Sequence, residues 1–279
     1  MLQMKHKARI TALIITLNGE RLLGACLDSL DFCDSILIVD SFSTDSTEKI
    51  AREHGAIFIQ NPWPGNALQI QYGLNWLAAN APTEWVLMLD CDEIVSPELR
   101  DDILRTLAVP QASIAFSLPR RTWYYDRFLT HGGCYPDRLF RLFRPDAIKI
   151  ENHGAHQQFV PVGPCSKLNG DLLHFTYSSF KNQLEKLNDY AERGARDIAQ
   201  QGKQGGLPRA FLHSLWRFSS MYFIRLGFLD GKAGFLMAVH AGFYTFLKYI
   251  RIDEGDWGMK QIQNLTLPFS TAHEHMQKD

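Results

Sequence analysis

Residues 87–95 read LMLDCDEIV. An apolar run ends abruptly in Asp90, Cys91, Asp92 and Glu93. Carboxylates repel one another and are costly to bury. Three of them at the end of a buried strand therefore need a reason. Strand alternation puts the Asp90 and Asp92 side chains on the same side of the chain. Two such carboxylates suit a hard divalent cation, Mg2+ or Mn2+, that keeps several waters and bridges to phosphate oxygens. The bland alternative is an acidic turn ahead of the next helix, whose start at Ser96-Pro97 is close.

The pattern around this stretch sets the fold class. RITALIITL (9–17), SILIVD (35–40), AIFIQ (56–60) and EWVLMLD (84–90) read as buried strands. ERLLGACLDSL, STDSTEKIAREHGA, NALQIQYGLNWLAAN and PELRDDILRTLA read as the helices that follow them. In the second helix Asp45 is the candidate N-cap, with Glu48 at capping-box spacing. Strand and helix thus alternate over the first ~110 residues, the signature of an α/β fold with a parallel sheet. Ligands of such sheets bind beyond the carboxyl ends of the strands. Those ends are Asn18, Asp40 and Asp90/Asp92.

Composition bounds the rest. The 279 residues are 46% hydrophobic and 21% charged, ordinary for a globular chain with a normal core. A formal net charge of -1 gives no bias toward nucleic acid, and none is expected as a partner. The five cysteines form no CxxC pair, which argues against a disulfide framework or structural zinc. The N-terminus MLQMKHKARITALIITLNGE lacks a small-residue cleavage site and reads as the first strand. A reducing, cytoplasmic compartment is expected.

The middle of the chain, 113–180, is rich in aromatics, arginine and histidine and reads as strands and long loops. Residues 180–201 read as an amphipathic helix, and GKQGGLP (202–208) as a linker. Residues 209–252 are strongly apolar, but Arg225, Asp230 and Lys232 interrupt any run long enough to span a bilayer. LGFLDGKAGF reads as a break between two helices. Core packing and a surface-lying amphipathic pair both fit, and peripheral membrane attachment is the favoured reading. The expected division is 1–205 (1–110 nucleotide-binding, 111–205 acceptor-binding), a helical extension 206–252 and a tail 253–279.

IITLNGE (14–20), ILIVDSFSTDST (36–47), LMLDCDEIV (87–95) and HGGCYPDRLFRLFR (131–144), in this order, resemble family 2 glycosyltransferases of GT-A fold. The nearest likeness is to the lipopolysaccharide core glycosyltransferases of Gram-negative bacteria, and it runs through GDLLHFTYSSFKNQLEKLNDYAERGA to about residue 250. It implies an inverting transfer of a hexose, glucose from UDP-glucose, to a lipid-linked core glycan at the cytoplasmic face of the inner membrane. By resemblance, Thr16, Leu17, Asn18 and Glu20 line the nucleotide pocket. Asp40 meets the base or ribose, Asp90 the ribose or metal waters, and Asp92 ligates Mg2+ or Mn2+. A rival reading of D-x-D after an apolar strand, a haloacid-dehalogenase-type phosphatase, lacks its later acidic pair, since GDLLHF and GDWGMK supply no second Asp.

The catalytic base is where the sequence departs from its relatives. They carry an acid where this chain has Gln157, and Gln takes up no proton at neutral pH. Glu151 and His156 are the candidates, with His153 nearby; a histidine serves near its ordinary pKa of about 6.5. The alternative is a nucleotide-sugar or glycan-binding relative without a working base. His131, Arg138 and Arg141 are expected to meet acceptor or phosphate, for which arginine's fork is suited. Their bland reading, with Arg144, is a strand carrying solvated arginines.

Overall fold

The structure, a computed structural model, describes residues 8–153 and 156–252, with the side chains of 152–157 outside the description. The tail expected at 253–279 lies outside the described residues.

Strands β1 (Ile10–Thr16), β2 (Ser35–Asp40), β3 (Ile57–Gln60) and β4 (Trp85–Asp90) alternate with helices α1 (Leu23–Asp28), α2 (Thr47–Glu53) and α3 (Asn66–Asn80). The strands pair in parallel in the order β3-β2-β1-β4. Both faces are covered. Leu13, Val39 and Met88 pack with Ile70 and Leu74 of α3, while Ile14, Ile38 and Leu89 pack with Leu23 and Leu27 of α1. Every residue of β1 is buried. A two-sided burial requires a continuous apolar run rather than an alternating one, which is why these strands stand out in the sequence.

The next elements are β5 (Glu93–Val95), α4 (Pro97–Leu107), β6 (Ala115–Tyr124), β7 (Arg127–Phe128), β8 (Asp137–Phe143), β9 (Ile148–His153), β10 (His156–Pro161), β11 (Cys165–Lys167) and β12 (Leu172–His174). The sheet continues from β4 through β8, β6 and β12 to β5, with β7 and β11 also on β6. Strand β8 runs antiparallel to β4 and β6, whereas β12 is parallel to β6. Strands β9 and β10 form a separate two-stranded sheet.

Ser96 caps α4 as its position suggests, accepting a bond from Leu99 N at 3.2 Å. The start of α2 departs from the expected capping box. Asp45 Oδ1 accepts from Thr47 N at 3.0 Å, and its Oδ2 accepts from Glu20 N at 3.1 Å. The orphan amide of Ser46 is taken by Glu20 Oε2, 3.1 Å away. Glu48 instead holds Arg52 at 2.7 Å. The cap is thus shared between Asp45, whose place the local sequence encodes, and Glu20 of another loop, which no local spacing encodes.

Helix α5 (Phe180–Gln200) leads to α6 (Leu207–Ser219), a π turn at Ser220–Ile224, a 3-10 turn at Gly227–Asp230, and α7 (Gly231–Arg251). The expected break is present: Leu226 has φ 59. Asp230 ties the break to the sheet domain, accepting from Thr130 N at 3.0 Å and His131 N at 2.8 Å. Among the described residues, no helix is long and apolar enough to cross a membrane.

Candidate active site

Strand β1 neighbours β2 on one side and β4 on the other, so the winding of the sheet reverses between β1 and β4. A crevice forms at such a switch point, beyond the carboxyl ends of the strands. The register pairs Thr16 with Asp40 and Ile15 with Asp90, which brings the three polar strand ends level.

Two loops rim this crevice and are stapled together. Asn18 N donates to Ser43 Oγ at 2.8 Å, Asn18 Oδ1 accepts from Thr44 N at 2.9 Å, and Gly19 N donates to Thr47 Oγ1 at 2.8 Å. Gly19 is needed for the close approach: a Cβ there would meet Thr16 Oγ1 at 2.5 Å and Cys91 Sγ at 3.2 Å. Leu17 is exposed on the rim. Asp40, expected to meet the base or ribose, ends β2 beneath this rim. It is fully buried, and its carboxylate accepts from Ser43 N at 2.8 Å and Gln60 Nε2 at 3.1 Å. Its part is to hold the rim in place.

The acids of LMLDCDEIV are explained by two arginines from distant strands. Arg141 of β8, 3% exposed, donates through Nη2 to Asp90 at 2.8 Å and to Glu93 at 3.0 Å. Arg120 of β6 lies 3.5 Å from Glu93 and 2.7 Å from Asp137. The result is a ladder of alternating charge, Asp90–Arg141–Glu93–Arg120–Asp137. Burial pushes Asp90 up, but Arg141 outweighs it and holds the carboxyl below its usual range. Burial pushes Glu93 up to about 7, against the opposing charge of Arg141.

Asp92 stands apart from this ladder. Burial, then the charge of Asp90, push it up to about 6, with Lys186 and Arg21 pulling the other way. Its neighbour is His174 at the end of β12, whose Nε2 lies 3.6 Å from Asp92 Oδ1. Burial, then the charge of Arg120, lower His174 to about 3, so the imidazole is neutral. His174 Nδ1 is buried without a hydrogen-bond partner. A carboxylate short of positive charge beside a neutral imidazole is a donor set that fits a divalent cation. Among the described residues no three such donors cluster. A cation here would keep open positions for water and phosphate oxygens.

The other expected site residues are dispersed. Arg141 does not face a phosphate or acceptor; it is buried as the counter-ion of Asp90 and Glu93. His131 Nδ1 lies 3.0 Å from Asp230 and so belongs to the anchor of the C-terminal helices. Arg138 is exposed and braces Leu168 O at 3.1 Å. Glu151 sits exposed on the β9–β10 sheet, separate from the sheet that carries Asp90. The side chain of His156 lies outside the description. Sequence reasoning missed His174 and Arg120. The only sequence signal for His174 was a polar residue interrupting the short apolar run LLHF.

Known proteins share this sequence pattern. The profile of Glycosyl transferase family 2 matches residues 11–160. Lipopolysaccharide core biosynthesis glycosyltransferase LpsC of Rhizobium meliloti is 30% identical over 258 residues, 88% of this chain and 92% of LpsC. An uncharacterized glycosyltransferase of Rickettsia typhi, RT0209, is 27% identical over 258 residues, 88% of this chain and 87% of its own. Glucosyl-3-phosphoglycerate synthase from Mycobacterium tuberculosis, solved with Mn2+, UDP and glucosyl-3-phosphoglycerate, is 24% identical with a TM-score of 0.33. That match covers 43% of this chain and 46% of the synthase, too small an overlap to bear on the site.

Proposed function

The chain belongs to glycosyl transferase family 2 and has the GT-A fold, and from that premise we propose that it transfers a hexose, glucose from UDP-glucose, to a lipopolysaccharide core acceptor with inversion at the anomeric carbon. The observation that carries this reading is Asp92 beside the neutral His174 at the switch-point crevice.

The reaction is a single displacement. The acceptor oxygen bonds to the anomeric carbon while the bond from that carbon to the diphosphate breaks, and no covalent enzyme intermediate is needed. Asp92 and His174 would hold Mg2+ or Mn2+. Bound there, the cation would neutralise the charge that grows on the departing diphosphate. Lys186 and Arg21, whose charges reach Asp92, would add to this. Asp90, kept ionised by Arg141, would face the ribose or the cation's waters. The stapled rim of Leu17, Asn18 and Glu20 would hold the nucleotide.

An acceptor on a lipid implies attachment to the inner membrane at its cytoplasmic face. Phe211, Leu212, Leu215 and Trp216 of α6, with Phe223 and Ile224 of the π turn, are each more than half exposed. Arg209, Arg217, Arg225 and Lys232 are exposed among them. Asp230 is the sole acid between 202 and 252, and it is buried. An apolar face edged by positive charge suits an anionic lipid surface.

The test is turnover by the purified protein. UDP-, GDP- and dTDP-hexoses would be offered with core oligosaccharide, with and without Mn2+, beside Asp92→Ala. Metal-dependent transfer from one donor, lost in the variant, is expected. Donor binding without turnover would instead support the base-less binding protein that Gln157 suggests.

A further inference from the structure

A cavity of about 330 Å3 lies beside the charge ladder, lined among others by Thr122, Leu129, Cys134, Asp137, Arg138 and Met237. Its size is in the range of small-ligand sites. Its lining is mixed. Leu129 and Met237 offer an apolar wall to the C–H face of a sugar ring, and Thr122, Asp137 and Arg138 offer partners to hydroxyls.

The cavity adjoins the cation-binding pair. Thr122 of β6 is paired with His174 of β12, and neighbouring strands are about 4.8 Å apart. Arg120, two residues before Thr122 and so on the same face, is paired with Asp137 of β8. Thus Asp137 stands at the same end of the sheet as Asp90 and Asp92. Arg120 directs both of its bonds to Asp137 Oδ2, at 3.0 and 2.7 Å. Asp137 Oδ1 has no hydrogen-bond partner among the described residues, and the side chain is 40% exposed.

We propose that Asp137 is the base of the transfer and that this cavity seats the acceptor sugar. The assignment rests on the glycosyltransferase reading above. It supplies a carboxylate where Gln157 supplies none. Arg120 orients that carboxylate and is itself braced by Glu93. In the step, the acceptor hydroxyl gives its proton to Asp137 Oδ1 as its oxygen bonds to the anomeric carbon. The bond to the diphosphate breaks, and its electron pair leaves on the phosphate oxygen.

The experiment compares Asp137→Asn, Asp137→Glu and Glu151→Gln with the wild type. It measures transfer to core oligosaccharide, UDP affinity in the presence of Mn2+, and thermal unfolding. Asp137→Asn is expected to lower kcat about 10²–10⁴-fold, the usual worth of a positioned base, with UDP affinity unchanged and the unfolding midpoint lowered only by the small amount a partly exposed ion pair contributes. Asp137→Glu is expected to keep part of the rate. Near-wild-type transfer by Asp137→Asn would overturn the assignment. So would a parallel loss of UDP affinity in that variant, or loss of transfer in Glu151→Gln alone. A wild type that binds UDP and transfers nothing would overturn the glycosyltransferase reading, and the base with it.

Discussion

Arg141 and Glu93 form an ion pair with almost no access to water: Nη2 lies 3.0 Å from Oε1, and the side chains are 3% and 0% exposed. The same nitrogen holds Asp90. Removing one partner of a buried pair strands the other charge and costs about 3–5 kcal/mol, whereas replacing both by apolar groups is often neutral. Arg141→Met is therefore expected to lose about that much stability, and the Arg141→Met/Glu93→Leu double variant to recover only the share owed to Glu93, because Asp90 is still left without its partner. Urea unfolding midpoints of the two variants check this.

His174 gives a prediction about the cation. Loss of an outer partner of a metal ligand costs about 10–100-fold in affinity, and loss of a ligand should cost at least that. His174→Ala is expected to weaken Mn2+ binding by this factor while the fold persists. Titration calorimetry with Mn2+ at fixed UDP reads the affinity, and circular dichroism reads the fold. Chelation of Mn2+ from the wild type is expected to stop transfer.

These two sites also show what the sequence could reveal. Strands β1 to β4 were legible because burial on both faces demands continuous apolar runs, and α3 begins and ends where its turn signals lie. The position of Asp90 and Asp92 at a strand end was legible because it is local. His174, Arg120 and Asp137 were not, because β8, β6 and β12 assemble out of chain order. The three-residue spacing of Arg138, Arg141 and Arg144 misled for a related reason. Strand β8 is irregular at Arg141, since Phe116 pairs with Leu142 and Ser117 with Phe140, so the three-residue spacing maps to no single face. Arg144 lies past the strand, over the ring of Trp85.

Asp230 sets a pH dependence for the C-terminal helices. Burial raises its pKa, but bonds from His131 and Thr130 outweigh burial and hold it below its ordinary value. A carboxyl depressed by folding adds stability above its unfolded pKa of about 3.9, and that stability is lost as pH falls through the lower folded value. Docking of 207–251 is thus expected to be intact at pH 6 and to loosen below about pH 4. Hydrogen exchange of the Thr130 and His131 amides reads this directly. In Asp230→Asn the amides should exchange faster at pH 6 and lose that acid-dependent change.

The face formed by Leu212, Trp216, Phe223 and Ile224 is expected to bind anionic vesicles. Co-sedimentation with phosphatidylglycerol vesicles should exceed that with phosphatidylcholine and weaken with salt, because screening shortens the reach of Arg209, Arg217 and Arg225. Trp216→Ser with Phe223→Ser should abolish it. If the face pairs with a second copy instead, the same variant would convert a dimer to a monomer in sedimentation velocity, with no change in vesicle binding.

Gly170 links packing to the site. It has φ 82, and a Cβ there would overlap the Leu99 backbone in the first turn of α4. The contact is close because Ser96 N donates to Asp171 O at 3.0 Å and Ser96 Oγ accepts from Asp171 N at 3.1 Å. Three residues later the same segment delivers His174 to Asp92. Gly170→Ala must either strain φ or push the segment off α4, at a cost of about 1–3 kcal/mol. If the segment moves, His174 moves with it, so Mn2+ affinity should fall together with stability. Stability lost with Mn2+ affinity intact would mean that β12 is held in place by its pairing with β5 and β6 alone.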